Sequence, residues 1–337
     1  MKGEFDFMKL LFVFTGGTIG SSITGEYIST DKNKPYKLIE TYKSKFGFFD
    51  SYDITEPYSE LSENNTGNTI KCLVSCVKKH INQVYDGIIV THGTDTLQYS
   101  SAALAYSLGN IDIPVCFVSS NYPIEDSRAN GIVNLHTAIQ FIKGIKHGGV
   151  WVAYKNNNEL PKIHRATRLA SGSAFSDNID SILNSYYGYY DDKFVFHKNS
   201  NYAEKTDEIP ELSVNNLSEN CNGILRIVPF PGMVYPNLNN ETKYVLHESY
   251  HSGTINSKVC NIKPFLQETR NKNISVFLTG VSDEKAYEST KILNEYNVIQ
   301  LTNCAPISMY MKLWMVVSSG LDPKSIMKKS LAGDIVI

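Results

Sequence analysis

Two stretches of this chain place hydroxyls, glycines and a carboxylate directly after short apolar runs. Thr15-Gly16-Gly17-Thr18-Ile19-Gly20 follows Leu10-Leu11-Phe12-Val13-Phe14, and Thr91-His92-Gly93-Thr94-Asp95-Thr96 follows Gly87-Ile88-Ile89-Val90. A threonine hydroxyl is a candidate nucleophile, but it is weak at its own pKa and needs a base beside it. Thr18 and Thr94 are the two such threonines. Tyr27, just beyond the first glycine loop, offers a phenolic oxygen to take the proton of Thr18. Asp95 can orient a base or grip a substrate ammonium. The N–H groups of the Gly16-Gly17 and Gly93 turns are candidate oxyanion donors. Each residue alone also fits a hydrogen-bonded turn, and the second hexapeptide alone fits a helix N-cap equally well.

The elements that must position these groups follow from periodicity. Residues 10–14 and 87–91 are apolar throughout, as in strands buried on both faces. Ile70, Leu73, Val74, Val77 and Ile81 repeat at helical spacing. Further helices are expected at 97–108 and about 129–142, with strands at 114–118 and 149–153. Strands alternating with helices predict a mostly parallel sheet with flanking helices, whose carboxyl edge is where ligands bind. The first glycine loop lacks the spacing of a dinucleotide or P-loop fingerprint, and no helical pattern follows it.

At 337 residues the chain exceeds one ordinary core. Pattern is lost between Asn184 and about Asn222, and strand rhythm restarts at Gly223. The expected division is a larger N-terminal α/β domain over 1–205, a linker over 206–222 and a smaller α/β domain over 223–337. Later strands are expected at 244–247, 274–278 and 298–301. A net charge of −2 without a basic cluster argues against nucleic-acid or membrane-surface partners. Six cysteines without metal-ligand spacing suit free thiols in a reduced compartment. Residues 1–7 are too charged for a secretion signal, so a cytoplasmic protein is expected.

Together the T-G-G-T-I-G and T-H-G-T-D-T motifs, in their strand–turn contexts, resemble those of the bacterial asparaginase family. The likeness continues through Pro123, the run from Asp126 to Leu135, and Pro231-Gly232-Met233. It implies a cofactor-free and metal-free amidohydrolase that converts asparagine to aspartate and ammonia, closer to the cytoplasmic type I branch. Thr18 is then the nucleophile, assisted by Tyr27, with Thr94 near the amide and Asp95 on the α-ammonium. Ser62 and Glu63 fall where the family holds the α-carboxylate and ammonium, with Gly17 and Gly93 lining the substrate. The resemblance further implies a homodimer or homotetramer. A tRNA-dependent glutamine amidase of the same fold carries an extra N-terminal domain, which this chain, starting near its first strand, is not expected to have.

Two departures bear on the chemistry. The family's second cluster uses a lysine, and local pattern places that position on Arg168, with Arg165 or Lys162 as alternatives. An arginine stays protonated and cannot serve as a base, though it can stabilise negative charge. The family also often supplies a glutamate in the helix matching residues 306–309, where this chain has none. Glu248 and Glu284 are the candidate substitutes, and His247, His251, Ser252 and Thr254 the other polar residues that could line the cleft. An amino-acid-binding module without turnover is the alternative these departures keep open.

Overall fold

A computed structural model describes residues 8–17, 19, 21–24, 27–30, 34–47, 51–197, 207, 211–257, 262–283, 287–288 and 291–337, and among these the side chains of 21–24, 27–30 and 34–36 are not described. Strand β1 (Lys9–Phe14) leads into a hairpin of β2 (Ser21–Thr24) and β3 (Tyr27–Thr30). Helix α1 (Lys34–Phe46), β4 (Ser51–Thr55), α2 (Gly67–His80), β5 (Gly87–Thr91), α3 (Leu97–Leu108), β6 (Pro114–Val118), α4 (Gly131–Gly144) and β7 (Gly149–Tyr154) follow. The chain then turns back as β8 (Lys162–Arg165), β9 (Gly188–Asp191) and β10 (Lys193–Phe196).

These strands form an eight-stranded sheet in the order β10-β9-β8-β7-β6-β5-β1-β4. Pairing is parallel from β4 through β7 and antiparallel from β7 through β10. From β1 the chain steps first to β4 on one side and then to β5 on the other. The strand order therefore reverses between β1 and β5, and a crevice opens there at the carboxyl edge.

Alternate residues of the central strands feed different cores, as period two requires. Leu11, Val13, Ile88 and Val90 pack on one face with the α2 stripe of Ile70, Leu73, Val74 and Val77. Leu10, Phe12, Phe14 and Ile89 pack on the other with Leu135, Ile139 and Ile142 of α4. Helix α2 starts at a capping box: Thr66 accepts from Asn68 N, and Thr69 Oγ1 accepts from Thr66 N.

A second sheet holds β11 (Ile224–Ile227), β12 (Tyr244–Glu248), β13 (Ser275–Val281) and β14 (Ile299–Thr302) in that order, all parallel. Its helices are α5 (Ile262–Asn271), α6 (Lys291–Glu295), α7 (Pro306–Ser318) and the single turn α8 (Pro323–Ile326). The buried side of α7 joins the same core as α2 and α3, through Met309, Met311, Leu313 and Trp314. Among the described residues no helix is long and apolar enough to cross a membrane.

Several stretches differ from expectation, among them the β2–β3 hairpin and strand β8, which stand where the sequence suggested no strand. The patternless stretch after Asn184 contains the β9–β10 hairpin, which aromatic packing stabilises where sequence alternation is weak. Buried Tyr187 there meets Phe141, Trp151, Phe194 and Phe196. Helix α1 and edge strand β4 also stand where the sequence suggested no element.

Candidate active site

The two motif loops meet at the β1/β5 crevice. Gly17 N donates to Glu60 O at 2.9 Å, and Glu60 N donates to Thr15 O at 3.1 Å. Thr15 Oγ1 donates to Thr91 O at 2.6 Å, stitching the end of β1 to the end of β5. Gly17 has φ +77°, and a Cβ there would overlap the backbone nitrogen of Gly93. A Cβ on Gly93 would in turn overlap Ser62 Oγ. Only glycine at both positions lets the two loops and Ser62 converge.

Ser62 lies in a 3₁₀ turn, Ser62–Asn64, and is buried, whereas the neighbouring Glu63 is exposed. Ser62 Oγ donates to Asp95 Oδ2 at 3.3 Å, and Thr96 Oγ1 donates to Ser62 O at 2.8 Å. Thr96 occupies the N-cap position of α3 but its side chain makes no cap bond. The hydroxyl and carboxylate of this hexapeptide are turned to Ser62, which decides against the helix-cap reading. Thr94 and Asp95 then border a cleft of about 290 Å³ closed by Gln98 and the 172–179 segment.

Behind them His92 is wholly buried, and burial drives its pKa down to about 4. Its Nδ1 stands 2.8 Å from Gly93 O, a pure acceptor, so Nδ1 carries the proton. Nε2 therefore accepts, from Ser100 Oγ at 2.9 Å and Asn65 Nδ2 at 3.2 Å. A neutral histidine with both nitrogens committed fixes the Gly93 carbonyl and does not reach the cleft.

Thr18 lies outside the described residues. Tyr27 opens β3 opposite Thr24, with its side chain outside the description. Gly17, Ser62, Gly93, Thr94 and Asp95 are brought together.

Arg168 is not, and this corrects the expectation for it. Its guanidinium is wholly buried, donating from Nε to Gly333 O at 2.6 Å and from Nη2 to Ile335 O at 3.3 Å. The neighbouring Thr167 Oγ1 holds Ala332 O at 2.9 Å. The turn Ala166–Arg168 serves as a cradle for the C-terminal tail, so its arginine is spent on backbone carbonyls 165 or more residues away. Arg165 lies over the Trp151 ring at 4.4 Å, and Lys162 pairs with Glu159 at 2.6 Å. No lysine or arginine lines the Thr94–Asp95 cleft among the described residues.

Glu248 is likewise committed: Arg226 Nε donates to it at 2.7 Å and Nη2 pairs with it at 2.6 Å. Glu284 lies outside the described residues. His247 is a satisfied buried histidine, 2.5 Å from Glu248 O and 2.9 Å from Tyr235 Oη. His251 and Ser252 border a separate cavity at the carboxyl end of β13, with Gly280 and Asn303. Thr254 Oγ1 is 3.1 Å from Ser252 Oγ. Gln98 was not singled out from the sequence, although it stands one helical turn after Thr94.

A mixed α/β sheet whose parallel part carries a hydroxyl- and carboxylate-bearing crevice at its switch point defines a small-molecule enzyme site. The family model described as Asparaginase, N-terminal matches residues 9–201, and the chain belongs to the asparaginase family, hydrolases of linear amides. L-asparaginase of Thermococcus kodakarensis is 28% identical over 344 residues, covering 97% of this chain and 99% of that protein. A glutamyl-tRNA(Gln) amidotransferase chain of Haloquadratum walsbyi is 27% identical over 294 residues, covering 82% of this chain but 63% of that protein. The solved structure of the Thermococcus kodakarensis L-asparaginase superposes with a TM-score of 0.78 at 24% identity, covering 98% of this chain and all of that one.

Proposed function

We propose that the chain hydrolyses the side-chain amide of L-asparagine, giving L-aspartate and ammonia. The observation that carries this reading is the convergence of Gly17, Ser62, Gly93, Thr94 and Asp95 at one crevice, with the Thr18 position directly after Gly17. In this scheme Thr18 Oγ attacks the amide carbon as Tyr27 takes its proton, and turn N–H groups receive the developing oxyanion. The leaving ammonia takes a proton, and water then cleaves the acyl-enzyme to regenerate Thr18. Ser62 and Asp95, joined by their hydrogen bond, bind the α-carboxylate and α-ammonium respectively, and Glu63 extends the acidic side. A cytoplasmic homodimer or homotetramer is part of the same proposal, as is the two-domain division.

Purified protein given asparagine should release ammonia, and Thr18→Ala should abolish release while leaving the melting temperature near wild type. Thr94→Ala should lower kcat comparably, by about 10²-fold or more if its hydroxyl takes part in proton transfer. One observation favours a second reading, an amino-acid-binding module: the cleft beside Asp95 holds no lysine or arginine among the described residues. Saturable aspartate binding with no ammonia from asparagine, glutamine or other amides would establish that reading and refute the first.

A further inference from the structure

Helix α2 turns its apolar stripe to the sheet and leaves one outer flank to two cysteines. Cys72 and Cys76 are both free thiols, the first exposed and the second half-buried. Four residues apart on a helix, they lie one above the other on the same face, with Cβ atoms about 5–6 Å apart. Edge strand β4 ends beside this flank, with Thr55 Oγ1 3.7 Å from Cys76 Sγ. Burial raises the pKa of the Cys76 thiol, and the Thr55 hydroxyl and the Lys79 ammonium pull it back. Cys72 is close enough to act on the same thiol as a like charge.

This spacing is wrong for a disulfide and right for a bridging ion. A disulfide needs Cβ atoms roughly 3.5–4.5 Å apart, so closing one would unwind a turn of α2. Two sulfurs on opposite sides of a metal ion sit about 4.6 Å apart, twice a metal–thiolate bond of about 2.3 Å. Rotation about the two Cα–Cβ bonds spans that distance with the helix intact. The remaining ligands decide which ion. His80 continues the stripe, but eight residues from Cys72 it lies about 12 Å further along the axis. Its Nδ1 is 2.8 Å from Cys76 O, so that nitrogen donates to the backbone. Among the described residues no three His, Cys, Asp or Glu side chains could hold a metal together. A tetrahedral zinc site lacks its ligands there, whereas a soft ion satisfied by two thiolates does not.

We propose that Cys72 and Cys76 form a two-thiolate site for a soft monovalent d10 cation, copper(I) or its redox-silent analogue silver(I). Each thiol gives its proton to solvent and forms one sulfur–metal bond. No electron changes hands, and the bridged pair carries one net negative charge. Thr55 Oγ1 then donates to the Cys76 sulfur, the outer-shell bond that orients a ligand, and Lys79 offsets the charge. The asparaginase scheme uses neither thiol, so this is a second site.

Silver(I) in chloride-free buffer is the probe, its affinity read on the reduced full chain by competition with a small monothiol. Wild type should bind one ion at least about 10²-fold more tightly than Cys72→Ser or Cys76→Ser, the factor that tethering a second ligand contributes. Cys221→Ser removes a thiol elsewhere and should leave this affinity unchanged. The double variant Cys76→Ser/Lys79→Cys restores the number of thiols but parts them by seven residues, about 10 Å along the helix. It should bind no better than Cys76→Ser alone. All of these changes fall at exposed or half-buried positions, and a circular-dichroism melt checks that each variant folds. Wild-type affinity in either serine variant, or in the double variant, would overturn the proposal. These readouts need no turnover, so they are independent of whether asparagine is the substrate.

Discussion

Replacing Arg168 with methionine separates a tail-anchoring arginine from a catalytic one. The substitution keeps a long apolar stem but deletes the donors that serve Gly333 O and Ile335 O. Charge-assisted bonds contribute about 1.5–3 kcal/mol each, and the longer 3.3 Å bond belongs at the low end. Removing a buried charge recovers part of its desolvation cost. A net loss of about 3 kcal/mol follows, which for a chain of 337 residues lowers the melting temperature by roughly 4 °C. Well below that temperature, ammonia release per folded molecule should stay within about two-fold of wild type. Arg168→Lys should recover part of the stability, since an ammonium reaches one carbonyl more readily than two. The assay is a circular-dichroism melt paired with a coupled ammonia assay on the same preparations. A melting temperature within about 1 °C of wild type together with lost activity would refute the anchoring role. It would return Arg168 to the chemistry.

Two other perturbations test the crevice and its support. Gly17→Ala puts a Cβ against the Gly93 nitrogen in a positive-φ turn, so the loops must part. We expect kcat/KM on asparagine to fall by about 10²-fold with a lowered melting temperature from the strained turn, and wild-type kinetics would contradict the close-approach argument. The second perturbation is acid. His92 and His164 are wholly buried and burial lowers their pKa values to about 4 and about 3, against 6.5 for an ordinary histidine. Between pH 6.5 and 4 the unfolded chain binds protons that the folded chain refuses. Stability from these groups is therefore fully present above pH 6.5 and lost as pH falls toward 4. Urea midpoints at pH 7.5, 6 and 5 should decline in that order, and His164→Gln should flatten the decline. A constant midpoint across that range would show that neither histidine is held neutral.

Much of the architecture is legible in the sequence because burial on both faces leaves no polar residue in β5 or β6 before the strand ends. The α2 stripe is equally plain, since one face of that helix packs on the sheet. The convergence of the two glycine loops is legible as motif chemistry, and the crossing from β4 over β1 to β5 gives it a cause. Tertiary partners hide the remainder. Strands β9 and β10 are specified by Tyr187 packing on Phe141 and Trp151 and by Phe194 packing on Phe141, contacts that join residues far apart in the chain. Arg168 stands beside a loop of threonines and serines that suits a site. Its partners are carbonyls of the C-terminal tail, which have no sequence signature.

The Arg226 cluster shows why a carboxylate present near the right place need not serve a substrate. Arg226 on β11 pairs with Glu248 at the end of β12 and donates to Tyr99 Oη at 2.7 Å. Tyr99 lies in the first turn of α3, four residues after Asp95. The guanidinium therefore ties the edge of the second sheet to the helix whose start carries the candidate second cluster. Freeing Glu248 to hold an ammonium would leave Arg226 half-buried and short of its counter-ion, at a cost of several kcal/mol. Within the asparaginase proposal, ammonium recognition from this chain then rests on Asp95 and Glu63. Asp95→Asn should accordingly raise KM for asparagine more than any change at Glu248. The mark of a Glu248 substitution should instead be a lower melting temperature.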